Sequence, residues 1–114
     1  MSDLIARIEG TAGRITLNRP KALNALTYDM CLEIEALLDA WEADPKVALI
    51  ILDAVGDRAF CAGGDITVMY ATAKAGDFEY GRKFWTDEYR LNAKLATCPK
   101  AIVSFLHGFT MGGG

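Results

Sequence analysis

Val47-Ala48-Leu49-Ile50-Ile51-Leu52 is six apolar residues in a row. With no polar face, the run predicts a strand buried on both sides, in a sheet covered by helices. Asp44-Pro45 before it stops a helix, and Gly56-Asp57 after it makes a turn. Upstream, Met30, Ile34, Leu37, Leu38 and Trp41 recur at helical spacing. Thr27 can cap that helix, and Asp29 suits its positive end. Nearer the start, Leu4 to Glu9 and Arg14 to Asn18 alternate apolar with polar on either side of Gly10-Thr11-Ala12-Gly13. This predicts a β-hairpin, ended by Arg19-Pro20.

Downstream of the apolar run, Ala59-Phe60-Cys61 leads into Ala62-Gly63-Gly64-Asp65-Ile66. A short helix is predicted from Asp65 to Ala73 and a long one from about Phe78 to Ala96, closed by Thr97-Cys98-Pro99. Ala101 to Leu106 reads as a second buried strand. The order β-β-α-β-α-α-β describes an α/β architecture with helices packed on a sheet. His107-Gly108 then opens a loop that reaches Met111-Gly112-Gly113-Gly114. A glycine triplet after a strand is expected to open a turn into a further helix. The 114 residues are therefore expected to be the first part of a larger enzyme.

Composition excludes several classes. The chain is 52% hydrophobic and 24% charged, with a net charge of −3, which is ordinary for a globular domain. An acidic balance argues against a nucleic acid or an anionic membrane as partner. No run of eighteen apolar residues predicts a membrane span. The leading Met1-Ser2-Asp3-Leu4 has neither the basic-then-apolar pattern of a secretory signal nor the look of a transit peptide. Three cysteines, Cys31, Cys61 and Cys98, lack metal-ligand spacing and predict free thiols in a reducing, cytoplasmic setting. With a single histidine, His107, no metal site is expected, and a Ser-His-Asp triad is poorly supported. His107 reads as a hydrogen-bonded structural residue. Cys61 has no neighbouring base to make it a nucleophile.

Two places carry chemistry. The turns at Gly63-Gly64 and at Gly112-Gly113-Gly114 each follow a strand, and paired glycines allow positive φ and close approach of backbone to ligand. On neighbouring strands, each could give one N–H to the same oxygen, the geometry of an oxyanion hole. The alternative is that both are tight turns without a ligand. Neither is a P-loop or a dinucleotide fingerprint. The other place is Glu88, on or beside the apolar stripe Tyr80, Phe84, Leu91, Leu95 and Cys98 of the long helix. A carboxylate there needs a cationic partner or a polar ligand, and the residues alone favour a lysine or arginine partner.

Taken together, Ile15-Thr16-Leu17-Asn18-Arg19-Pro20-Lys21-Ala22-Leu23-Asn24-Ala25-Leu26, Ala59 through Ile66 and Gly108 through Gly114 resemble the crotonase (enoyl-CoA hydratase/isomerase) superfamily. Phe84 through Asn92, with its Glu88-Tyr89-Arg90-Leu91-Asn92 segment, is most similar to the 3-hydroxyisobutyryl-CoA hydrolase branch. The resemblance implies the N-terminal part of a ββα spiral, spanning residues 1–114. It implies an oxyanion hole from the N–H groups of Gly64 and Gly113. It also implies substrate contact by Glu88 and Gly113, and coenzyme A held by Lys21, Ala22, Leu23, Ala62, Gly64, Asp65 and Ile66. No cofactor is expected; coenzyme A is part of the substrate.

The implied reaction is hydrolysis of a short 3-hydroxyacyl-CoA thioester, as in valine or fatty acid breakdown. Enoyl-CoA hydration or isomerisation on the same scaffold is the near alternative. A non-catalytic acyl-CoA-binding or assembly module is the alternative of another class. In the family, the acid/base carboxylates lie beyond the glycine triplet. The 114 residues alone are therefore expected to be inactive and to need a complementary C-terminal segment or chain. A homotrimer, and a mitochondrial matrix location in a eukaryote, are further expectations of the resemblance.

Overall fold

A computed structural model describes residues 2–114; Met1 of the leading segment lies outside them. Strands β1 (Leu4–Glu9) and β2 (Ala12–Leu17) form an antiparallel hairpin. Its turn is only Gly10-Thr11, with Gly10 at φ +61°. Ala12 and Gly13 were expected in the loop but pair in the strand, opposite Glu9 and Ile8.

A single 3-10 turn, Pro20–Ala22, then leads to helix α1 (Tyr28–Glu42). Thr27 caps α1: its hydroxyl accepts the Met30 N–H at 3.2 Å. Met30, Cys31, Ile34, Leu38 and Trp41 turn one buried face inward. Strand β3 (Leu49–Ala54) returns parallel to β2, with Ala12 opposite Leu49. A parallel pair needs a crossover of this length.

The apolar run is corrected in two respects. The strand begins at Leu49, and Val47 is buried in the preceding turn instead. Among the described residues, only one face of the sheet meets the core, through Leu4, Ile15, Leu17 and Ile50. The opposite face carries a charged ladder. Arg14 pairs with Asp53 and Glu9, and both Arg7 and Asp53 hydrogen-bond Thr16. The run was read as two-sided because Asp53, the residue that announces the polar face, lies just past it.

Strand β4 (Ala59–Cys61) is followed by α2 (Thr67–Lys74) and the long α3 (Glu79–Thr97), which packs against α1. The first helix was expected from Asp65. It begins two residues later because Asp65 serves as a side-chain acceptor for the Thr67 N–H at 2.9 Å. Strand β5 (Ala101–Ser104) extends the sheet in the order β1-β2-β3-β5, parallel to β3. It was expected to be buried, yet Val103 is 40% and Phe105 57% exposed, because β5 is an edge within these residues. A last short strand, β6 (Phe109–Thr110), pairs parallel with β4 in a second, two-stranded sheet. Neither pattern nor length announced β6.

Candidate active site

The β4–β6 pair brings the two glycine turns together. A methyl at Gly63 would lie 3.1 Å from the Met111 carbonyl oxygen and 3.5 Å from the Gly112 Cα. Gly63 is at φ +100°, which an L side chain rarely adopts. The Met111 N–H donates to the Cys61 carbonyl at 3.0 Å and locks one strand end beside the other.

The first turn is bracketed by the chain entering α1. The Leu26 N–H donates to the Gly63 carbonyl at 2.8 Å, and the Asp65 N–H donates to the Leu26 carbonyl at 2.7 Å. In a parallel bridge of this kind the bonds belong to the neighbours of Gly64, so its own N–H points away from Leu26. Among the described residues the Gly64 and Gly113 N–H groups meet no acceptor.

Glu88 stands at this junction. It is 5% exposed on α3, one turn after buried Phe84 and one before buried Leu91. A methyl at Gly64 would be 3.4 Å from its Oε1, and a methyl at Gly113 would overlap that oxygen. The lysine or arginine partner favoured by the residues alone is not there: among the described residues no charged or hydrogen-bonding partner acts on the Glu88 carboxyl, whose oxygens keep some contact with solvent. Burial raises its pKa above the ordinary glutamate value. The neighbours are paired elsewhere. Asp87 accepts from the Tyr28 hydroxyl and pairs with Arg90 at 2.9 Å, and Arg90 also pairs with Glu35 on α1 at 2.8 Å. These ties fix the rotation of α3 and leave Glu88 facing the glycines. Tyr28 meets Tyr80 edge to face at 6.1 Å between ring centres and Phe84 at a tilt at 5.9 Å.

All the residues expected to hold coenzyme A fall together. Lys21, Ala22, Leu23, Ala62, Gly64, Asp65 and Ile66 line one open trough of ≈ 530 Å³. The Asp65 carboxylate is already engaged there, by Thr67 and by Arg19 at 3.0 Å. Its pKa is held low by the Thr67 N–H first, with the Thr67 side chain and Arg19 adding to this. Cys61 is sealed beneath Gly63 and Gly114, and burial pushes its thiol pKa up. It is no nucleophile. His107 contacts the Gly56 carbonyl at 2.8 Å through Nε2, a structural contact as expected.

The part played by Asn24 in this region was missed. Asn24 is 1% exposed and uses its whole side chain. Its Oδ1 accepts the Arg19 N–H at 2.8 Å, and its Nδ2 donates to the Val55 and Ala59 carbonyls at 3.0 and 2.9 Å. Leu23 and Asn24 sit at φ +52° and +54°. Consecutive left-handed residues without glycine are uncommon and persist only where surroundings hold them. Here the Leu23 carbonyl accepts the Ala62 N–H at 3.0 Å. An Asn a few residues past a Pro was the available signal, since Asn tolerates this conformation.

Comparison with known proteins shows the family and the fold. Residues 12–114 match the enoyl-CoA hydratase/isomerase family. The chain is 46% identical to the mitochondrial 3-hydroxyisobutyryl-CoA hydrolase of Gallus gallus, over 99% of its own length and 29% of that protein's. Similarity to the mitochondrial enzyme of the same name from Homo sapiens is also 46%, over 98% and 29%. Among solved structures, an enoyl-CoA hydratase from Rhodobacter sphaeroides 2.4.1 is 54% identical with a TM-score of 0.95, covering 98% of this chain and 33% of that one. A carnitinyl-CoA dehydratase from Mycobacterium thermoresistibile is 46% identical with a TM-score of 0.95, covering 99% and 33%. The chain thus spans under a third of the length of the curated relatives it matches.

Proposed function

Because the chain belongs to the enoyl-CoA hydratase/isomerase family, we propose that it supplies the thioester-binding half of an acyl-CoA hydrolase acting on a short 3-hydroxyacyl-CoA. The observation that carries this is the meeting of two glycine turns with unpaired N–H groups beside one buried carboxyl. The thioester carbonyl oxygen accepts from Gly64 and Gly113. Water adds to the carbonyl carbon, and the negative charge of the tetrahedral intermediate collects on that oxygen. The intermediate then collapses with loss of the C–S bond, and coenzyme A leaves as the thiol. Each N–H donor contributes about 3 kcal/mol to lowering the barrier. Glu88, a carboxyl whose burial favours the protonated form, meets the hydroxyl of the acyl group. The carboxylate that activates water comes from the chain beyond Gly114.

Coenzyme A enters as the handle of the substrate, along the trough from Lys21 to Ile66, and no separate cofactor takes part. Valine breakdown is the metabolic setting proposed for such a substrate. The homotrimer expected of the family is the proposed assembly, to be checked by light scattering of the full-length protein. The relatives named mitochondrial support a matrix location in a eukaryotic source. No helix among the described residues is long and apolar enough to cross a membrane.

A hydratase on the same scaffold is the second reading, favoured by the enoyl-CoA hydratase structure at 54% identity. The deciding assay uses the full-length protein. Free thiol released from 3-hydroxyisobutyryl-CoA supports the hydrolase. Hydration of crotonyl-CoA without thiol release supports the hydratase. Coenzyme A binding with neither reaction would leave a non-catalytic module.

A further inference from the structure

Gly64 has no side chain with which to anchor itself, yet the function proposed above needs its N–H aimed at one point. Resting on that reading, we propose that Arg19 and Asp65 form a positioning pair that sets the Gly64 N–H, and that Asp65 acts through this pair rather than by touching coenzyme A.

Arg19 is tied down at both ends. Its N–H donates to Asn24 Oδ1 at 2.8 Å, and its carbonyl accepts from Ala22 and Asn24, both at 2.9 Å. Its guanidinium then reaches across the site. Nη1 donates to the Ala25 carbonyl at 2.6 Å, and Nη2 meets Asp65 Oδ2 at 3.0 Å. Ala25 precedes Leu26 and Asp65 follows Gly64, and Leu26 and Gly64 are the bridged residues. The guanidinium therefore clasps the two strands across the bridge that presents Gly64. Both side chains are largely shielded, at 21% and 17% exposure, so the ion pair is weakened less by solvent than a surface pair. The other Asp65 oxygen is taken by the Thr67 N–H. One short side chain thus ties the Thr67 backbone to the Arg19 guanidinium. Lys21, the exposed cation of the same trough, is left for the ligand.

The test uses the full-length protein. Asp65→Asn removes the anion but keeps an oxygen for the Thr67 N–H. Its kcat for thiol release is expected to fall between tenfold and a hundredfold, roughly the effect of misaiming a catalytic group by a fraction of an ångström. Its KM should change less than about twofold, because substrate contacts remain. Arg19→Lys, which keeps the charge but cannot span Ala25 and Asp65 together, should lose less.

A raised KM at unchanged kcat would make Asp65 a coenzyme A contact and overturn the proposal. So would Asp65→Asn behaving as the parent. The second readout needs no substrate: in the ligand-free protein, the Gly64 amide of Asp65→Asn should shift and exchange faster, with changes confined to Gly63 through Thr67 and to the clasped partners Arg19, Ala25 and Leu26. An unchanged Gly64 amide also overturns the pair. Should the parent protein release no thiol, the hydrolase reading fails alone, and the Gly64 amide still decides for or against the clasp.

Discussion

The two glycine turns are alike in sequence and unlike in support. The Gly63-Gly64 turn is gripped from outside: by Leu26 through two backbone bonds, by the Arg19–Asp65 clasp, and by the Leu23 carbonyl, which accepts the Ala62 N–H. The Gly112-Gly113-Gly114 turn, among the described residues, rests on one bond from Met111 to Cys61 and on contact with Gly63, Glu88 and Cys61. One turn is built by its surroundings and the other is laid against it. A site that needs two donors aimed at one oxygen can therefore hold one rigid reference and set the second by fit.

Four substitutions in the full-length protein would break or sharpen this contrast. The largest effect is expected from Gly113→Ala, whose methyl overlaps Glu88 Oε1. Either the turn or the carboxyl must move, so kcat should fall by about a hundredfold or more in a thiol-release assay while the melt hardly changes. An equal loss of stability would mean that the second turn is as structural as the first.

Next, Asn24→Ala strands the buried Ala59 carbonyl, the part-buried Val55 carbonyl and the Arg19 N–H. It should lower stability by roughly 3 kcal/mol, read as a shift in the urea midpoint at constant slope. Gly63→Ala forces a left-handed alanine against the Met111 carbonyl and should cost about 2 kcal/mol. It should also lower kcat, because the second turn takes its position from the first; unchanged kcat would end that dependence.

The smallest effect is a pH-dependent gain. Burial raises the Glu88 pKa in the folded chain above the ordinary value of 4.5. The folded state therefore holds this proton more tightly than the unfolded one. The stability that this proton confers is present below the ordinary value and is lost as pH rises through the folded pKa. Glu88→Gln should melt higher than the parent at neutral pH, and the difference should vanish below 4.5. A variant less stable at neutral pH would show that Glu88 has a partner supplied from outside the described residues.

Much of this was legible in the chain because it depends on local pattern. The Met30-to-Trp41 spacing specified the buried face of α1, and Thr27 its start. The alternation from Leu4 specified the hairpin. Glu88 was conspicuous as a carboxylate on an apolar stripe, and its isolation from any cation is what the structure adds. The features that stayed hidden are set by long-range partners. The two-residue strand β6 exists only because β4 is beside it, with Cys61 opposite Thr110. Leu23 in the left-handed region has no intrinsic reason to be there. It is held by Ala62, far along the chain. The Arg19–Asp65 clasp joins two ordinary surface residue types, and nothing in either neighbourhood marks them as a pair.

The sheet order β1-β2-β3-β5 also imposes a timetable. The hairpin closes over a two-residue turn, so its register, Leu4 with Leu17, can form early. Joining β3 requires all of α1 to be in place, and joining β5 requires the long excursion through α2 and α3 before Leu49 can meet Ala101. Loop closure of that length is slow compared with hairpin formation. During synthesis the clasped Gly64 turn can be complete before β6 arrives. The last piece of the site then lands on a finished surface, and a folding intermediate lacking only that piece would have its β4 edge open to any strand that came first.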